Sequence, residues 1–106
     1  MTNTFDERRK GYEAKWAHDE ELRFKVMARR NKLLGLWAAG EMGITGEAAD
    51  VYARTVVASD FEEAGEEDVF RKMAKDLGAE KESIIRKKMD ELLHTAGEQV
   101  TAEAKK

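Results

Sequence analysis

No proline interrupts the chain at any of its 106 positions. Every backbone N–H is therefore free to donate, and with few β-branched residues the chain can run as uninterrupted helix. Its eight glycines remain as punctuation, and the apolar residues recur at helical spacing, so an all-α protein is expected. The 39% charged residues approach a disordered composition, but the charges nearly balance at −3 and the periodicity supplies a face to bury. One domain fits this length, burying roughly 65% of its unfolded surface. No cysteine occurs, which removes disulfides, thiolate metal sites and thiol nucleophiles. The longest purely apolar run, Leu36 to Ala39, falls far below the ~18 residues of a membrane span, and no apolar signal core opens the chain. A soluble protein without membrane insertion is expected.

Four helical segments emerge. The first runs from about Phe5 to Met42, stopped by Gly43 at the C′ position with Ile44 placed for the accompanying apolar contact. Thr45 should cap a second helix, Gly46 to about Glu63, with Ala49, Tyr52, Ala53, Val56 and Val57 on one face. A short third, 66–77, begins on Glu66, Glu67 and Asp68, presents Val69, Phe70, Met73 and Leu77, and ends at Gly78. The fourth, 80–101, carries Ile85, Met89, Leu92, Ala96 and Val100, leaving Thr101 to Lys106 as a fraying tail. Short connections make neighbouring helices antiparallel, giving a small four-helix bundle.

The first segment divides chemically. From Leu22 onward, Val26, Met27, Leu33, Leu34, Trp37 and Ala38 complete a broad apolar arc. Before it only the aromatics Phe5, Tyr12 and Trp16 stand in a charged surface, and Gly11 costs that stretch about 0.5–1 kcal/mol of helix. The expected organisation is an N-terminal arm, 1–19, less ordered than a bundle domain, 20–106.

Two serines and two histidines, with no nucleophile-elbow or phosphate-cradling glycine loop, lack the parts of nucleophilic or P-loop chemistry, so no enzyme and no cofactor is expected. Glu91 and His94 have the Glu-x-x-His spacing of helical di-iron sites, but His18 has Lys15 where its partner glutamate should be, and an exposed His94 beside Glu98 is the simpler reading. Lys25, Arg29 and Lys32 share a helix face, whereas Arg23 and Arg30 project into the apolar arc. Three aligned cations on a net-negative chain read as a solvated face rather than a nucleic-acid footprint. A guanidinium in an apolar arc must be paired. Asp60 falls in the middle of the second helix's apolar face, so an ion pair of Arg23 or Arg30 with Asp60 is expected to fix register. The stripe Phe5, Tyr12 and Trp16, flanked by Arg8, Arg9 and Lys15, reads either as continuation of the bundle or as a helix that docks on a partner through aromatic and arginine anchors.

The segments Glu13-Ala14-Lys15-Trp16-Ala17-His18-Asp19, Ala28-Arg29-Arg30-Asn31-Lys32-Leu33-Leu34-Gly35-Leu36-Trp37-Ala38-Ala39, Asp60-Phe61-Glu62-Glu63-Ala64-Gly65, Glu67-Asp68-Val69-Phe70-Arg71-Lys72 and Lys88-Met89-Asp90-Glu91-Leu92-Leu93, in this order and spacing, resemble the bacterial zeta subunit, inhibitor of the F1 part of ATP synthase. The likeness covers nearly the whole chain. It implies a four-helix bundle whose N-terminal arm enters a catalytic α/β interface of F1 beside γ and blocks ATP hydrolysis, with α, β and γ as partners and a cytoplasmic location at the membrane-bound synthase. Carried over, Phe5, Tyr12 and Trp16 become anchors and Arg8, Arg9 and Lys15 polar contacts. Gly11 and the basic run Arg8-Arg9-Lys10 depart from the more acid-interrupted arms of that family. The alternative is a small ligand- or nucleotide-binding regulator, its anion held at a helix N-terminus.

Overall fold

The computed structural model describes Trp16 and residues 19–59 and 66–104. Four helices occupy nearly all of them: α1 (Glu20–Glu41), α2 (Gly46–Ser59), α3 (Glu67–Leu77) and α4 (Glu82–Ala104), with a single 3-10 turn, Ala79–Lys81, leading into α4. No strand occurs among the described residues. The expected all-α bundle is the fold.

Local chemistry sets the helix ends. Asp19 is the N-cap of α1, its carboxylate accepting from the Leu22 N–H at 3.1 Å, and Glu20 and Glu21 add negative charge to the first turn. At the other end Gly43 takes φ +74°. Its N–H reaches the Gly40 carbonyl at 3.2 Å and the Ile44 N–H reaches that of Ala39 at 2.8 Å, the paired bonds of a Schellman stop. Only glycine enters this left-handed conformation without strain. Gly78 ends α3 at φ +111°.

α1 lies at the centre, packed mainly against α2 and α4. Gly35 makes the α1–α2 approach possible, since a Cβ there would stand 2.6 Å from the Ala53 Cα. Two apolar clusters result. The main one joins Leu34, Ala38, Val56, Val69, Met73, Ile85 and Met89 from all four helices. The second joins Trp16, Val26, Ala96 and Val100, with Leu22, Leu33 and Leu93 at its edge. Low numbers on α1 meet high numbers on α4, so these two helices are antiparallel.

Two expectations are corrected. The tail does not fray at Thr101: α4 continues to Ala104, because Val100 is buried and Glu103 receives Arg29 through two hydrogen bonds of 2.9 Å. Arg23, placed in the apolar arc by its angle, is exposed, while Arg30 at nearly the same angle is fully buried. A helical wheel fixes direction and not height, and these residues stand ~10 Å apart along the axis.

Candidate partner-binding surface

The arm's contact residues Phe5, Arg8, Arg9, Tyr12 and Lys15, like Asp60 of the expected ion pair, lie outside the described residues. Trp16 is described, and it is 4% exposed, seated in the second cluster. Of the two readings of the aromatic stripe, Trp16 itself follows continuation of the bundle. An indole buried among Val26, Ala96 and Val100 removes apolar surface from water just as any core side chain does. Its Nε1–H finds no partner among the described residues, so the seat is apolar packing without a hydrogen bond to fix it.

Arg30 is the bundle's internal charge. Its Nε–H donates to Asn31 Oδ1 at 2.6 Å and its Nη1–H to Glu66 Oε1 at 3.1 Å. Arg30 and Asn31 are fully buried, whereas the Glu66 side chain is 42% exposed. The described partner of Arg30 is thus Glu66, at the N-cap of α3. In the sequence Glu66 stands out only as an acid at the start of a helix, and nothing local marks it as the partner of Arg30. Arg30 Nη2 and Asn31 Nδ2 are buried without partners among the described residues, as is Oδ2 of Asp68, whose other carboxylate oxygen pairs with Arg71.

Other polar contacts stitch helices together. Tyr52 on α2 donates its hydroxyl to Asp76 Oδ2 of α3 at 2.6 Å, and Lys72 reaches the same oxygen at 3.0 Å while standing 5.1 Å from the Tyr52 ring centre. Burial, the adjacent carboxylate and the hydrogen bond to it push the Tyr52 hydroxyl far above its ordinary pKa. Burial also pushes Asp76 upward, but the hydrogen bonds from Tyr52 and Lys72 and the nearby lysine charges outweigh it and hold the carboxyl below its ordinary value. Between α3 and α4, Arg86 lies 3.6 Å over the Phe70 ring and pairs with Glu67 at 3.1 Å. His94 pairs with Glu98 at 2.6 Å and Glu91 with Lys88 at 3.4 Å, so the Glu-x-x-His pair turns to separate partners. Among the described residues no group of three or more metal-ligating side chains converges.

The cationic face divides on inspection. Lys25 pairs with Glu21 at 3.0 Å and Arg29 with Glu103 and Gln99. Lys32 and, on α2, Arg54 are exposed and make no hydrogen bond or ion pair with any described residue. No described helix is long and apolar enough to cross a membrane.

The fold and this surface define a small all-α protein whose described side chains form packing, interhelical ion pairs and charged helix faces. The family profile described as ATPase inhibitor subunit zeta matches residues 1–99, and the chain belongs to that family. Four chains of solved structures match it. One, a protein solved by solution NMR, is 48% identical at a TM-score of 0.71, covering 77% of this chain and 98% of its own. Among curated proteins no sequence matches.

Proposed function

We propose that this chain is a non-catalytic regulator that inhibits ATP hydrolysis by F1, with its N-terminal arm as the inserted element and the bundle as the body that carries it. The family match supports the reading, since it runs through the arm as well as the bundle. The arm's contacts are Phe5 and Tyr12 as aromatic anchors, with Arg8, Arg9 and Lys15 beside them, at an α/β interface near γ. Trp16 takes a different part from the anchor role that the resemblance implies. Buried in the bundle, it ties the arm's sequence to the body at one fixed residue. The protein works where F1 stands, on the cytoplasmic side of the membrane-bound synthase.

Adding the purified chain to its cognate F1-ATPase tests the proposal. Steady-state ATP hydrolysis should fall in proportion to bound chain, and a chain lacking residues 1–15 but keeping Trp16 should bind more weakly and inhibit little while retaining its helical circular dichroism. Unchanged hydrolysis at saturating full-length chain would sink the reading and leave the ligand-binding alternative.

A further inference from the structure

Where α1, α2 and α4 meet, the surface carries two adjoining hollows of about 350 and 380 Å³ that share Lys32 and Val57. The floor is low and apolar, built from Ala28, Ala53, Val57 and Val100, and Phe24 stands 58% exposed at one end. Around it stand four cations, Lys25, Arg29, Lys32 and Arg54, against two carboxylates, Asp50 and Glu103. Two of the cations are already paired, Arg29 with Glu103 and Lys25 with Glu21. Lys32 and Arg54 have no hydrogen-bond or ion-pair partner among the described residues. A chain of net charge −3 thus concentrates positive charge along one apolar trough.

That combination selects its occupant. From Phe24 to Lys32 the trough follows α1 for ~12 Å at the helical rise, the length of two helical turns, and small floor residues leave space for apolar side chains at i and i+4 or i and i+3. Cations on the rim call for carboxylates on the flanks of whatever lies in it. The chain's own arm is a poor fit, because residues 1–15 carry Arg8, Arg9, Lys10 and Lys15 against Asp6, Glu7 and Glu13, a net positive segment. We propose that the α1/α2/α4 trough is a second docking site for F1, taking an acidic amphipathic helical segment of the ATPase whose carboxylates meet Lys32 and Arg54. This rests on the inhibitor reading and extends it. The arm would block rotation, while the trough sets how tightly and how fast the body is held, since opposed surface charge steers association.

The test uses the full chain and its cognate F1, with binding and inhibition measured separately. Lys32→Glu combined with Arg54→Glu should raise the Kd at least tenfold and reduce the loss of affinity seen between 50 and 200 mM salt. Inhibition at saturation should persist because the arm is intact. Both residues are exposed, so helical circular dichroism and melting should stay as in the wild type, and Lys87→Glu on an exposed part of α4 should change neither binding nor inhibition. A double variant with wild-type Kd and salt dependence overturns the trough proposal and leaves the inhibitor reading standing. A wild-type chain that binds F1 without inhibiting, with the variant still tenfold weaker, removes the inhibitor reading and keeps the trough. A wild-type chain that fails to bind F1 overturns both. A wild-type chain that instead dimerises in sedimentation, with the double variant monomeric, makes a second copy the occupant and overturns the proposal.

Discussion

At the scale of single residues, the most informative is Arg30, because a fully buried guanidinium must be paired. It is held by Asn31 and Glu66, yet its Nη2 and the Asn31 Nδ2 stay without described partners. An ion pair whose acid is half-exposed contributes little net stability, although removing the buried side chain's bulk opens a cavity. Arg30→Met keeps most of the stem volume but strands the buried Asn31 Oδ1 and should cost about 1–2 kcal/mol. Arg30→Ala should cost about 3 kcal/mol through the cavity and the stranded polar groups. Urea unfolding of both variants checks the contrast, and equal losses would mean that the charge matters more than the packing. Tyr52 and Asp76 give a pH prediction. The folded Asp76 carboxyl lies below its ordinary value, so it holds its proton less firmly than in the unfolded chain. Its contribution to stability is complete above the unfolded value of about 3.9 and is lost as pH falls through the folded value. Tyr52→Phe removes the 2.6 Å hydrogen bond and should cost about 1 kcal/mol at neutral pH. The difference between variant and wild type should shrink as the pH is lowered past ~4, which chemical denaturation at pH 7, 4 and 3 would follow.

At the scale of helices, α1 and α2 are brought together by an absence. Gly35 sits in mid-helix, where glycine ordinarily weakens helix by about 0.5–1 kcal/mol relative to Ala. An added Cβ would meet the Ala53 Cα at 2.6 Å and Val56 Cγ2 at 3.1 Å. The first of these is backbone, so relief requires the helices to part. Gly35→Ala should therefore destabilise the bundle by about 1–2 kcal/mol despite its gain in helix propensity, the overpacking term being the larger; a melting temperature that rises instead would show that α2 can shift away at little cost. The same pair of helices marks what the sequence can and cannot tell. Apolar spacing placed Ala53 and Val56 of α2 and Ile85, Met89, Ala96 and Val100 of α4 in the core correctly, and Gly43 with Ile44 identified the end of α1, since these features are local and periodic. Spacing was silent on whether a residue at the right angle lies at the right height. Arg23 and Arg30 differ for that reason, and so the pairing of Arg30 with Glu66, across thirty-six positions, was not legible. Nor was the length of α4, whose last turn depends on Arg29 of another helix.

At the scale of the whole molecule, the four-helix architecture and family membership were readable because they rest on long runs of mixed residue types. The seat of Trp16 was not. Trp16 lies in the aromatic stripe with Phe5 and Tyr12, and a stripe at helical spacing has the same appearance whether it faces a partner or a core. The structure seats it between α1 and α4, four residues before α1 begins, in a cluster separate from the main core. Trp16 is the first described residue to enter the core, and two truncations that differ by this single residue should separate sharply. Removing residues 1–15 should leave the bundle's melting temperature within a few degrees of the intact chain. Removing residues 1–16, or making Trp16→Ala in the full chain, empties a seat lined by Val26, Ala96 and Val100. A buried tryptophan lost in this way costs about 3 kcal/mol, which for a domain of this size lowers Tm by more than ~10 °C. The protected amides of α1 and α4 should then exchange faster around Val26 and Ala96, while those around Leu34 and Met89 in the main cluster stay slower. Equal melting of the two truncated chains would show that the indole adds nothing to the bundle, and the root of the arm would have to be sought beyond Asp19.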